Sequence, residues 1–141
     1  MTNLSIDICN KIKSDYRNYL EKLFYHNQRQ RFHIKAIERM VEKYGNPKII
    51  EKDGYLEMTS EKCHDSHSLF ISKGPALIGV LIYYQSSNTN IEIIHIALNN
   101  DYSMNNLFGL LNNCIKFLNI EKLKTFSVGY IINSHKFSLE D

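Results

Sequence analysis

The chain has 141 residues, 43% of them hydrophobic and 23% charged, which suits one globular domain that can bury a core without metal or disulfide support. Lysine and arginine number 17 against 15 aspartates and glutamates, a formal charge of +2, which excludes the basic excess that non-specific nucleic-acid binding needs. Cys9, Cys63 and Cys114 are odd in number and lie in separate segments, unlike a secreted disulfide framework. No apolar run approaches the roughly 18 residues of a membrane span, and Asp7, Lys11 and Lys13 stand where a signal peptide would be apolar. A cytoplasmic protein with reduced thiols, and with neither membrane nor nucleic acid as partner, is expected.

From Ile8, apolar residues recur at Ile12, Tyr16, Tyr19, Leu20, Leu23 and Phe24, the spacing of one helical stripe. The stripe resumes at Ala36, Ile37, Met40, Val41 and Tyr44 before Gly45 and Pro47 supply a stop. Residues 1–46 are therefore predicted to be helical, as two helices or one bent one. After Gly54 come short β-type runs, Tyr55 to Ser60, Ser68 to Ser72, Ala76 to Tyr84 and Asn90 to Leu98. Gly74-Pro75 and Ser86-Ser87-Asn88-Thr89 mark tight turns between neighbours, the connection of antiparallel hairpins. Leu77 to Ile82 and Ile91 to Ile96 are apolar on both faces, as in central strands covered on both sides.

Leu107, Leu110, Leu111, Cys114, Ile115 and Leu118 then repeat with helical spacing, and Lys124 to Tyr130 reads as one more strand. The expected class is α/β (α+β) in a single domain. N-terminal helices lead into a mostly antiparallel mixed sheet with an amphipathic helix before the last strand. The sheet and core helix span 54–131 and a tail spans 132–141.

The wording Leu77-Ile78-Gly79-Val80-Leu81-Ile82-Tyr83-Tyr84 resembles the third strand of the GNAT acetyltransferases. Ile91-Glu92-Ile93-Ile94-His95-Ile96-Ala97-Leu98, followed by Asn99-Asn100-Asp101-Tyr102, resembles that family's fourth strand and exit loop. The resemblance implies a fourth strand that bulges and splays from the fifth, with the pantetheine arm of acetyl-CoA in the gap against backbone of Ile96, Ala97 and Leu98. It also implies that the next loop and helix start, Ser103-Met104-Asn105-Asn106-Leu107-Phe108, receive the pyrophosphate on unpaired N–H groups. The family's arginine and glycines are absent from this loop, and Asn105 and Asn106 are the residues that best tolerate left-handed backbone after glycine. The family continues through a further helix and two strands where only Asn133 to Asp141 follow here. The fifth strand's edge is then expected to be open, or covered by a homodimer partner or by the N-terminal helices.

Acyl transfer to an amine needs a base for the ammonium proton and an acid for the leaving thiolate. Glu92 stands in an apolar strand where several family members keep a basic glutamate, and Tyr130 lies near where the family's acid tyrosine approaches the thioester. The plainer readings are a solvated carboxylate beside Asn90 and a packing tyrosine. His95, placed by simple alternation on one face with Ile91, Ile93 and Ala97, reads as a hydrogen-bonded core residue. Cys63, His64 and His67, with Asp65 nearby, are metal-ligand types at a spacing that matches no standard zinc pattern, so no metal is expected. The basic segment His26 to His33 reads as a solvated corner between helices, and Cys9 and Cys114 as core packing.

Three readings follow from these residues. The first is a GNAT-like N-acetyltransferase that uses acetyl-CoA as co-substrate and a small-molecule or protein amine as acceptor. The second is an inactive GNAT-like module acting through protein or small-ligand contact, which the composition of Ser103 to Phe108 favours. The third is an unrelated small α/β sheet, recognisable if the fourth and fifth strands paired along their full length.

Overall fold

The computed structural model describes residues 6–24, 32–99, 107–130 and 136–139. The chain opens with two short strands, β1 (Ile6–Cys9) and β2 (Ile12–Lys13). A 3-10 turn over Ser14–Tyr16 then leads into α1 (Arg17–Lys22). The helix expected from Ile8 thus begins later, and the helical N-terminal part is partly β. β1 takes the outer edge of the main sheet, with Ile6 opposite Lys73 and Cys9 opposite Phe70. That ladder outweighs the helical spacing of two isoleucines. Leu20, Leu23 and Phe24 keep their predicted role and are buried.

α2 (Ile34–Tyr44) buries Ala36, Ile37, Met40 and Tyr44 on one stripe, and the His33 side chain caps its start by accepting from the Lys35 N–H at 3.2 Å. β3 (Pro47–Lys52) and β4 (Tyr55–Ser60) follow as a hairpin, closed at Asp53-Gly54 with φ of 55° and 81°. This is the left-handed pair that a two-residue hairpin turn requires. With β2 they form a separate sheet in the order β2-β4-β3. The first predicted run therefore leaves the expected meander. Serine side chains link it to the next strand: Met58 N–H donates to Ser68 Oγ and Ser60 N–H to Ser66 Oγ, both at 2.9 Å.

The main sheet contains β5 (His67–Lys73), β6 (Ala76–Ser87), β7 (Asn90–Leu98), β8 (Thr125–Val128) and β9 (Phe137–Ser138), with α3 (Leu107–Phe117) between β7 and β8. Among the described residues it has six strands in the order β1-β5-β6-β7-β8-β9, all antiparallel except the pair β7–β8. Parallel neighbours need a crossover, and α3 supplies it. The tail is therefore not structureless: β9 pairs with β8 at Phe126 and Thr125, and Leu139 N–H donates to Lys124 O at 2.9 Å. It covers that stretch of the edge expected to be open.

β6 and β7 are buried on both faces, as their composition predicts. The ladder between them slips once in mid-strand: Ile82 faces His95 but Tyr83 faces Ile93, so Ile94 is a bulged extra residue. Cross-strand partners share a face, so Val80, Ile82, Tyr84, Glu92, His95 and Ala97 line one side. Leu81, Tyr83, Ile91, Ile93, Ile96 and Leu98 line the other. α2 lies over the first side, where Tyr44 and Gly45 reach Glu92 and His95. α3 lies over the second, through the ring series Phe108, Phe137 and Phe126, with centroids 4.8 and 5.5 Å apart.

Candidate functional site

Among the described residues, β7 and β8 pair over the first four residues of each strand. Asn90, Ile91, Glu92 and Ile93 pair with Thr125, Phe126, Ser127 and Val128, and Gly129 N–H adds a last rung to Ile93 O at 2.9 Å. Beyond it β7 continues through Ile94–Leu98 beside no described strand, with β6 still on its other side. The bulge at Ile94 falls directly after the rung from Gly129 to Ile93, where an extra residue strengthens the local twist. The side chains of Ile96, Ala97 and Leu98 are all buried in the core, so a molecule lying along this stretch would meet backbone.

Of the proposed phosphate loop, Ser103, Met104, Asn105 and Asn106 lie outside the described residues. Leu107 is buried at the start of α3, which leaves its backbone as the part able to touch a ligand. The Phe108 ring packs on Phe137. Its side chain is thereby directed to the β9 side of the helix.

Glu92 is half-buried and bound by two phenols. Tyr44 Oη donates to its Oε1 at 2.9 Å and Tyr84 Oη to its Oε2 at 2.8 Å. The two hydroxyls also lie 3.2 Å apart. Each hydroxyl has a single proton and both are used on the carboxylate. Burial, followed by the Tyr84 and Glu92 contacts, holds the Tyr44 phenol far above the usual range. Burial also raises Tyr84, reinforced by Glu92 and opposed by the Tyr44 hydrogen bond. Both tyrosines thus remain donors to Glu92 at neutral pH.

His95 is fully buried, with Nδ1 2.9 Å from Tyr130 Oη and Nε2 3.1 Å from Gly45 O. Burial pushes its pKa down to about 4, against a smaller opposing effect of the Gly45 carbonyl, so the ring is neutral at physiological pH. A carbonyl only accepts, so Nε2 carries the proton, Nδ1 accepts, and the Tyr130 hydroxyl donates. Gly45 makes this possible: its φ of 81° suits glycine, and a Cβ there would come within 2.7 Å of Glu61 Cβ and 2.9 Å of Lys62 N. Tyr130 lies in the turn after β8, not in the strand, and packs edge-on to Phe32 at 4.9 Å.

His95 is a hydrogen-bonded core residue, but the bulge places it on the face of Glu92 instead of that of Ile91 and Ile93. Glu92 and Tyr130 therefore belong to two hydrogen-bonded groups, Glu92 with Tyr44 and Tyr84 and Tyr130 with His95 and Gly45, joined through the consecutive residues Tyr44 and Gly45. Tyr44, Tyr84 and Gly45 were not among the predicted site residues. The available signal was that a tyrosine closing an apolar stripe must find a partner for its hydroxyl when buried.

Among the described residues no three His, Cys, Asp or Glu side chains gather as a metal-binding group. The Cys63 carbonyl instead accepts from the Ser66 hydroxyl, and burial raises the Cys63 thiol and keeps it protonated. Cys114 is buried on α3 with its pKa pushed up to about 12 by desolvation. Cys9 packs against the core. Residues 26–31 of the basic segment lie outside the described residues. No helix is long and apolar enough to cross a membrane among the described residues.

No family model matches the chain, and no curated protein is similar to it in sequence. Among solved structures, the crystal structure of the ribosomal-protein-S18-alanine N-acetyltransferase from Escherichia coli is similar over 88% of this chain, with a TM-score of 0.46 and 14% identity. The similar region covers 66% of that chain, so this protein spans just under two thirds of its length. A likeness of this degree does not bear on activity. The fold itself is a mixed α/β arrangement with a mostly antiparallel six-stranded sheet among the described residues, in the element order that the GNAT resemblance implies.

Proposed function

We propose that this chain is a GNAT-like N-acetyltransferase that moves an acetyl group from acetyl-CoA to an amine. The observation that carries the reading is the bulge at Ile94 in β7, just past its paired stretch with β8 among the described residues, with buried side chains continuing along β7 to Leu98. An extended arm such as pantetheine fits that place, because a strand edge recognises extended chains through its backbone. The phosphates would then fall toward the N-terminal end of α3, where helix N–H groups favour an anion.

The amine nitrogen attacks the thioester carbonyl; a C–N bond forms and the C–S bond breaks. Glu92, each of whose oxygens accepts from one tyrosine, takes the ammonium proton through water on its remaining lone pairs. Tyr130 gives its hydroxyl proton to the departing sulfur after turning from His95, the second proton the nitrogen sheds as the amide forms passes to water, and solvent restores both groups. Holding amine and thioester together supplies most of the remaining acceleration.

A scaffold that binds without transferring is the competing reading, favoured by the lack of glycine and arginine in Ser103 to Phe108. Thermal unfolding with acetyl-CoA and with CoA separates the two. Ligand at one hundred times its dissociation constant adds about 2.7 kcal/mol, a shift of several degrees for a domain of this size. Glu92→Gln should keep that shift and lose roughly a hundredfold or more in turnover. No shift at millimolar ligand would transfer the case to the binding module, and full turnover in Glu92→Gln would remove Glu92 from the mechanism.

A further inference from the structure

Just past the bulge in β7, one side chain from β7 meets one from the turn after β8. Gly129 forms the last rung to Ile93, and the next residue, Tyr130, meets His95, which stands just past the bulge at Ile94. Both side chains are buried, so solvent does not compete for their 2.9 Å bond. Every proton in the series is assigned from its far end. Gly45 O accepts from Nε2, Nδ1 is left as the acceptor, and Tyr130 donates to it. Gly45 O is itself held by a glycine-only backbone and by the Gly45 N–H bond to Val41 O at 2.8 Å.

We propose that His95 is a positioning residue for Tyr130: its ring sets the place and proton orientation of the Tyr130 hydroxyl. The inference rests on the acetyl-transfer reading and adds a residue to it. In the resting state the Tyr130 proton is directed to Nδ1, and any further contact of that oxygen is made through its lone pairs. Proton delivery to sulfur then requires the hydroxyl to turn about its C–O bond. His95 remains neutral throughout and exchanges no proton.

The test combines nitrogen-proton NMR of the imidazole with kinetics of thiol release from acetyl-CoA, using a panel of primary amines. In wild type the His95 ring should show the Nε2-protonated tautomer, and Tyr130→Phe should move the Nδ1 signal while leaving Nε2 in place. His95→Phe should lose roughly 10- to 100-fold in kcat, the loss expected of a misplaced reacting group, with KM for acetyl-CoA unchanged. His95→Asn, which keeps an acceptor near the position of Nδ1, should recover most of it. An Nδ1-protonated ring, or wild-type kcat in folded His95→Phe, would overturn the inference while leaving the acetyl-transfer reading standing. Should His95→Phe not fold, the tautomer and a failure of His95→Asn to exceed Tyr130→Phe in kcat decide it. A wild-type protein that neither binds acetyl-CoA nor releases thiol would overturn both.

Discussion

Acidification should destabilise this protein well above the range where carboxylates titrate, and His95 should be the cause. In the unfolded chain its imidazole takes up a proton near 6.5, whereas in the folded protein it does so only at about 4. Between those values the unfolded state binds more protons, so stability falls as the pH falls through this window and is flat above it. At 1.36 kcal/mol per pH unit, the full gap corresponds to about 3 kcal/mol, of which about 2 is already lost at pH 5. His95 is fully buried, so no screening by water reduces the figure, and the loss is a large fraction of a typical stability of about 5–15 kcal/mol. The assay is urea unfolding across the window in wild type and in His95→Asn, which does not titrate there. His33, His64, His67 and the carboxylates are common to both proteins and cancel in the difference. Wild type should lose stability relative to the variant between pH 6.5 and 4. Parallel curves would refute the assignment of a neutral, doubly bonded imidazole.

Gly45→Ala should destabilise by about 1–3 kcal/mol through its backbone conformation alone, and further through the approach to Glu61; an unchanged urea midpoint would contradict the geometry. Tyr44→Phe and Tyr84→Phe should each cost about 1 kcal/mol, discounted for the half-exposed site, and the double mutant should depart from their sum because both act on one carboxylate. Strict additivity would speak against a shared acceptor. Phe137→Ala removes the ring between Phe108 and Phe126 and should bare the β8 edge, raising self-association in light scattering; a monomer at high concentration would show that β9 does not guard that edge.

What could be read in advance depended on how strongly burial marked the residues. β6, β7 and α3 carry apolar residues at nearly every position that faces the core, so their existence could be predicted, and the bounds of β7 as well, whereas β6 runs on through Ser87, past the predicted turn at Ser86. β3 could not, because Ile50 is exposed and Ile49 only partly covered. The Asp53-Gly54 pair was the stronger sign of a hairpin there. β1 was obscured because Ile8 and Ile12 happen to fit a helical period, and only pairing with β5, far along the chain, decides otherwise. β9 is too short to leave a pattern.

The site escaped prediction for a different reason. Alternation along a strand assigns faces only while the ladder keeps step, and the Ile93-Ile94 doublet in an already apolar run gives no hint that one residue is extra. Yet that bulge turns His95 onto the side of Glu92 and directly follows the rung from Gly129 to Ile93. Glu92 and His95 then stand at neighbouring positions on one face, about 7 Å apart at a strand rise of about 3.3 Å per residue. Tyr44 and Gly45, consecutive in sequence, are spaced to meet them. A movement of the end of α2 therefore cannot disturb the grip on Glu92 without also shifting the carbonyl that fixes the tautomer of His95 and, through it, the hydroxyl of Tyr130. The two groups are thus coupled through one stretch of backbone, the end of α2.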